Sequence, residues 1–203
     1  MSLRQQIVNQ FKQPSGFLGG FAGFVMAHRQ SNIARNLWTL DLLDLQPDDR
    51  VLEIGFGPGI ALAEASRRVT AGLIVGIDHS DVMLAQASKR VRSAITEERV
   101  ELHVGTPENL PDYPQPFHKI YSANVVQFWQ DPVAVFTSLR NKLVQGGVIA
   151  TTFMPRHSKA TTADAFKKAE DITAQLREAG FSSIRIEEKV LKPVSAISVL
   201  AVK

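Results

Sequence analysis

The chain has no cysteine. That absence excludes disulfide staples, thiolate metal ligands and thiol nucleophiles together, and it suits a reducing compartment. Long apolar runs are missing too. The longest weakly charged stretch, residues 14–27, is too short and too rich in glycine to span a bilayer. The opening Met1-Ser2-Leu3-Arg4-Gln5-Gln6 has no apolar core of the signal-peptide kind. Charge of one sign is scarce: the net value is +3. A nucleic-acid binder concentrates its cations on one face, whereas these are scattered, so no nucleic-acid partner is expected. The densest group, Lys89-Arg90-Val91-Arg92, falls in a helical pattern and reads as a solvated helix face. No His and carboxylate cluster has metal-ligand spacing, so no metal is expected. There is no internal repeat and no low-complexity segment. What remains is a cytoplasmic protein without stable membrane insertion, and 203 residues suffice for one domain with its own core. Oligomeric state leaves no signature.

From residue 50 onward, strand and helix patterns alternate. Strands are expected at 50–54, 73–77, 100–104, 119–123 and 148–153, and helices at 60–69 and 81–95. Another helix opens at Asp131-Pro132, where Asp caps free N–H groups and Pro fits the first helical position. Phe136, Leu139 and Leu143 share one of its faces, and Gly146-Gly147 is expected to end it. Ala165, Phe166, Ala169, Ile172, Leu176 and Ala179 mark a last helix, stopping at Gly180. Runs at 182–187 and 195–202 follow, with no room for a helix between them, so they form an antiparallel hairpin. The expected fold class is α/β: a seven-stranded, mostly parallel sheet with helices on both faces, closed by that hairpin. Residues 1–47 stand outside the alternation and are read as a helical cap; residues 48–203 form the core.

The strongest motif is Val51-Leu52-Glu53-Ile54-Gly55-Phe56-Gly57-Pro58-Gly59. An acidic residue inside a buried strand precedes glycines at alternate positions. Glycine lets the chain turn sharply and bring backbone against a ligand, and the following helix offers free N–H groups. Nineteen residues after Gly59 the second strand ends in Gly76-Ile77-Asp78. A carboxylate there can accept hydrogen bonds from both ribose hydroxyls of an adenosine. Ser80 can cap the next helix, so Asp78 is not needed for that role. A nicotinamide cofactor would use G-x-G-x-x-G, but the position three beyond Gly57 is Ile60. The G-x-G-x-G spacing suits adenosine with an amino-acid tail better than a pyrophosphate.

These residues resemble the class I, Rossmann-like S-adenosylmethionine-dependent methyltransferases. The resemblance runs from about Leu37 to the C-terminus and continues through Met83-Leu84, Gly105-Thr106-Pro107-Glu108-Asn109-Leu110-Pro111, Asp131-Pro132 and Leu143-Val144-Gln145-Gly146-Gly147. It implies S-adenosylmethionine as cofactor. Glu53, Gly55, Phe56, Gly57 and Gly59 would form the turn that holds the methionine tail and packs under the ribose. Asp78 would bind the ribose diol, with His79 and Met83 flanking the adenine. Gly105, Thr106 and Pro107 would line the adenine edge, although family members often carry Asp where Thr106 stands. Ala123 and Asn124 would lie beside the methionine tail.

Methyl transfer from a sulfonium requires little acid–base chemistry, so no catalytic residue is assigned, and His28, His118 and His157 are left without a role. Exocyclic base-amine methylation uses an N/D-P-P-F/Y motif where this chain has Ser122-Ala123-Asn124-Val125-Val126-Gln127-Phe128, and cytosine C5 methylation needs a cysteine. A small-molecule acceptor is therefore expected, with Gln127 and Trp129 as candidate contacts. The N-terminal block, through Met26, His28, Asn32 and Asn36-Leu37-Trp38, resembles a group of small bacterial methyltransferases of unassigned substrate. Its Gly-rich aromatic stretch suits a mobile cover, in which Phe17, Phe21 and Met26 would wall the acceptor pocket. A fixed helical layer and an amphipathic membrane-surface segment are the alternatives for that block. For the whole chain, they are a non-catalytic S-adenosylmethionine-binding or partner-regulating domain and, further off, a nicotinamide-dependent oxidoreductase.

Overall fold

The computed structural model describes residues 30–157 and 159–203. One seven-stranded sheet runs in the order β3-β2-β1-β4-β5-β7-β6. Its strands are β1 (Arg50–Ile54), β2 (Leu73–Asp78), β3 (Val100–Val104), β4 (Phe117–Ala123), β5 (Leu143–Phe153), β6 (Ser182–Lys189) and β7 (Ala196–Val202). The first five are parallel to their neighbours, and β7 runs antiparallel between β5 and β6. The α/β sheet with its C-terminal antiparallel hairpin is as expected.

The helices are α1 (Gln30–Leu43), α2 (Ile60–Arg68), α3 (Asp81–Arg90), α4 (Arg92–Thr96), α5 (Pro132–Asn141) and α6 (Thr162–Glu178). Alternation along each strand feeds two faces. Leu52, Ile54, Val75, Ile77, Ile120 and Ile149 meet Phe136 and Leu139 of α5 and Ala169, Ile172 and Leu176 of α6. Val51, Ile74, Tyr121 and Ala150 meet Leu40 and Leu43 of α1, Leu62 and Ala65 of α2, and Met83 and Ala87 of α3. Burial on both sides is what makes these strands continuous apolar runs. Each fully buried Leu or Phe among them contributes about 1.5–3 kcal/mol.

Several caps follow the sequence. Asp131 accepts from Ala134 N at 3.0 Å, and Ser80 accepts from Met83 N at 3.4 Å. Thr161 and Asp164 close a reciprocal capping box on α6. Two boundaries differ. The helix expected over 81–95 breaks at Val91 (φ −107°, ψ 24°), and the restart lets both Val91 and Ala94 reach the core. The helix from Pro132 ends at Asn141, not at Gly146-Gly147. Leu143 instead opens β5 opposite Phe117, and the register then jumps to Lys119 opposite Val148. The glycines sit in that bulge. Gly146 takes φ +77°, and a Cβ on Gly147 would stand 2.9 Å from Val144 O.

Residues 30–43, in the segment read as a cap, form α1, which packs on α2, β4 and β5 and shares their core. Phe17, Phe21 and Met26 lie outside the described residues. Strands added outward from β1 go one way to β2 and β3, and β4 and β5 go the other. The carboxyl ends of β1 and β4 therefore flank a topological switch point, where parallel α/β sheets bind ligands.

Candidate active site

The three glycines after β1 differ in purpose. All have positive φ, at +73°, +52° and +78° for Gly55, Gly57 and Gly59. A Cβ on Gly55 would stand 2.4 Å from Val125 Cγ2, so this glycine lets the loop after β4 lie against the turn. A Cβ on Gly59 would meet Ala87 Cα at 2.9 Å, so this one lets α2 approach α3. A Cβ on Gly57 would meet nothing within 4 Å. Of these three, only Gly57 therefore combines left-handed backbone with open space in front, the combination a ligand-contacting glycine needs. The Phe56 side chain points into the core under β2 and would collide with any Cβ on Gly76.

Asp78 ties the turn to β2. Its Oδ2 accepts from Gly57 N at 2.8 Å, and its Oδ1 accepts from Ser80 N at 3.1 Å. Burial raises its carboxyl above the ordinary range, and the bonds from Gly57, His79 and Ser80 oppose that rise. The two oxygens together offer about four acceptor sites, so a hydroxyl donor can still be accepted beside these backbone groups. His79 is about half exposed, with Nδ1 3.6 Å from Asp78 Oδ1. Met83 is buried in the core cluster against α2. Gly105 N donates to Asp78 O at 2.9 Å, which brings the loop after β3 to the same edge. Thr106 donates its hydroxyl proton to Asn109 Oδ1 at 2.9 Å, leaving its oxygen as an acceptor, and Pro107 is buried beside it.

Glu53 points into the α1–α2 face of the sheet. It is 3% exposed and accepts from Tyr121 Oη at 2.7 Å, across the β1–β4 register. Burial pushes its carboxyl up to about 8, the Asp78 charge adds to the rise, and the Tyr121 bond opposes it. Tyr121 is driven upward by the same burial and by Glu53.

On the other side of the switch point, Ala123 ends β4 and Asn124 takes φ +59°. The Asn124 amide is a clasp. Its Nδ2 donates to Met154 O at 2.7 Å and its Oδ1 accepts from Met154 N at 2.8 Å. Gln127 donates to Asn124 O at 2.7 Å from an exposed position. The Trp129 ring packs edge-on against Phe136, 5.1 Å between centroids, and so belongs partly to the core. His118 lies at the start of β4 and accepts from Arg50 N at 2.9 Å, at the opposite edge of the sheet. A hollow of about 460 Å³ lined by Tyr113, Phe117 and Lys142 is likewise at that opposite edge.

Sequence reasoning missed several parts of this edge. Arg90 donates from Nε to Pro58 O at 2.8 Å and so steadies the turn; within the basic run read as a solvated face, it is a support. Tyr121 and Val125 were likewise missed, because each reaches the edge only through pairing or packing over long sequence distances. Among the described residues no group of three His, Cys, Asp or Glu could hold a metal ion, and no helix is long and apolar enough to cross a membrane.

Comparisons with known proteins identify the family and the fold. A methyltransferase domain family matches residues 51–147. The chain is 30% identical over 182 residues to the uncharacterized methyltransferase YdaC of Bacillus subtilis (strain 168), across 90% of this chain and 97% of that one. It is 31% identical over 126 residues to trans-aconitate 2-methyltransferase of Yersinia pestis (strain Pestoides F), across 61% of this chain and 46% of that enzyme. In fold it is similar to phosphoethanolamine N-methyltransferase 2 of Haemonchus contortus in complex with S-adenosyl-L-methionine. The TM-score is 0.73 at 18% identity, covering 100% of this chain and 60% of that one. By its relative matched over nearly full length and by its seven-stranded sheet, the chain belongs to the class I, Rossmann-like S-adenosylmethionine-dependent methyltransferases.

Proposed function

We propose that this methyltransferase acts on a small-molecule acceptor, with the cofactor over the β1–β2 edge and the acceptor over the β4–β5 edge. The observation that carries the placement is Gly57: left-handed backbone, open space at its Cβ position and an N–H bonded to the buried Asp78. Asp78 accepts from the ribose diol. The backbone of residues 55–59 lies under the ribose and methionine tail, and Glu53 supports it from below through Tyr121. His79, Gly105, Thr106 and Pro107 line the adenine side. Met83 and Phe56 shape that side from the core, and Gly59 does so by letting α2 approach α3.

When bound, the cofactor supplies a methyl group already activated by its sulfonium. The chain contributes alignment and exclusion of water. Ala123 and Asn124 flank the tail, and Gln127 and Trp129 stand on the loop that faces the acceptor. Residues 17–26 are the candidate cover, and residues 1–47 and 48–203 the candidate cap and core. A relative in sequence, trans-aconitate 2-methyltransferase, acts by name on a small molecule, which supports that class here. The acceptor proposed is not a nucleic acid. A cytoplasmic setting goes with this reading, since a chain without cysteine suits a reducing compartment.

Calorimetry with S-adenosylhomocysteine, followed by transfer of labelled methyl to a metabolite extract, tests both halves. Tight binding with labelling of a low-molecular-weight product is expected. Binding without transfer to any fraction would favour a purely regulatory binding domain.

A further inference from the structure

The buried stripe of α1 changes character along its length. Near its C-terminal end Leu40 and Leu43 sit in the apolar cluster against the sheet. Toward its N-terminal end, beside the buried Trp38, Thr39, Arg35 and Asn32 are nearly as buried, at 1%, 3% and 4% exposed, yet polar. A helix that only had to pack on β5 would keep its apolar stripe throughout, because buried polar groups cost free energy unless they are partnered. The polar end is the end at the carboxyl edge of the sheet. Thr39 Oγ1 lies 2.7 Å from Thr152 Oγ1 near the end of β5, and Asn32 meets Arg156 just beyond that strand.

Two guanidinium groups converge there. Arg35 Nη1 donates to Asn32 Oδ1 at 3.3 Å, and Arg156 Nη2 donates to the same oxygen. One neutral amide oxygen thus gathers two cations, whose mutual repulsion an anion beside them offsets. The planar fork of Arg matches a carboxylate or phosphate better than Lys does. The charge along the helix agrees: residues 30–40 of α1 contain Arg35 and no Asp or Glu. Direct contacts lead from this pair to the cofactor turn. Val125 lies over Gly55, Asn124 clasps Met154, and Arg156 follows two residues later, about 7 Å of extended chain.

We infer that Arg35 and Arg156, set by Asn32, recognise an anionic oxygen group, a carboxylate or a phosphate, on the methyl acceptor. This rests on reading the β4–β5 edge as the acceptor side. The two cations fix the charged end of the acceptor and leave its nucleophilic atom to face the cofactor turn.

The test uses the full chain saturated with S-adenosylhomocysteine. Thermal unfolding is followed at constant ionic strength during titration with malonate, with inorganic phosphate and with malonamide, the uncharged counterpart of malonate. At least one of the two anions is expected to raise Tm saturably while malonamide does not, and the stronger anion tells carboxylate from phosphate. In R156Q, an exposed position that should not endanger folding, the apparent affinity for that anion should fall by about tenfold or more. Affinity for S-adenosylhomocysteine should stay within about twofold, an allowance small beside that tenfold loss. R35Q should behave alike where it folds. No shift with either anion, or a shift that survives R156Q unchanged, overturns the inference. Failure of the wild-type chain to bind S-adenosylhomocysteine would instead break the placement of the cofactor site, and calorimetry reads that separately.

Discussion

The two halves of the carboxyl edge are built by different means. On the β1–β2 side, the proposed cofactor site is a backbone matter contained in one stretch of chain: a glycine turn, the strand that follows α2, and a carboxylate at its tip. On the β4–β5 side, the parts are side chains drawn from α1, from the loop after β4 and from the chain beyond β5. A backbone cradle tolerates change in the side chains around it. A clasp of amides and guanidiniums depends on every partner. The first arrangement suits a ligand shared across a family, and the second suits one that differs from member to member.

The sharpest way to break this comparison is Gly57→Val against Gly59→Val. The first puts a side chain into open space at φ +52°. Cofactor affinity should fall more than about 100-fold, equivalent to ~2.7 kcal/mol, with the fold retained. Both strain a left-handed backbone, and the second also drives a side chain into Ala87, which should cost about 1–3 kcal/mol of stability more than the first. Calorimetry and denaturant melts of the pair separate the two. If Gly57→Val binds normally, the turn is not the site.

Asp78→Ala comes next. It removes the charged acceptor and should lower affinity by roughly one to two orders of magnitude. Were Asp78 only a turn residue, the variant would lose stability through Gly57 N and Ser80 N and keep its affinity.

Asn124→Ala probes the other half. Loss of both bonds to Met154 should cost about 1–3 kcal/mol, and alanine at φ +59° about 1–2 kcal/mol more. Methyl transfer should drop more than S-adenosylhomocysteine affinity does. Equal losses in both would argue that the clasp serves the whole edge.

The last test is a slope. Glu53 ionises near pH 4.5 when unfolded and near 8 when folded. Between those values the native state holds the extra proton, so stability should fall as pH rises through that window and level off above it. Melts of Glu53→Gln should lose that slope. A slope that persists in Glu53→Gln belongs to another group.

Much of the proposed cofactor side is legible in the sequence because its elements are local. Alternate glycines after an apolar strand, an Asp at the next strand's tip and a Ser positioned to cap α3 are all readable at short spacing. Yet the glycines looked equivalent in one dimension. Only packing separated Gly59, pressed on Ala87, from Gly57, facing open space. Arg90 shows the same limit. In sequence it belongs to a basic run, and only the fold of α3 beside the turn brings it to Pro58 O.

The amino-acid sequence by itself determined the strand and helix alternation, the antiparallel ending and the glycine turn with its carboxylate, because periodicity, connection length and backbone permissiveness act over a few residues. The tertiary structure alone decided that β7 lies between β5 and β6, and that Gly146-Gly147 bulge a strand where a helix end was expected. It alone decided that Glu53 meets Tyr121 and that Asn32 meets Arg156, 124 residues away. Those outcomes depend on which surfaces find each other when the sheet closes, and no local spacing encodes a contact between residues so far apart in the chain.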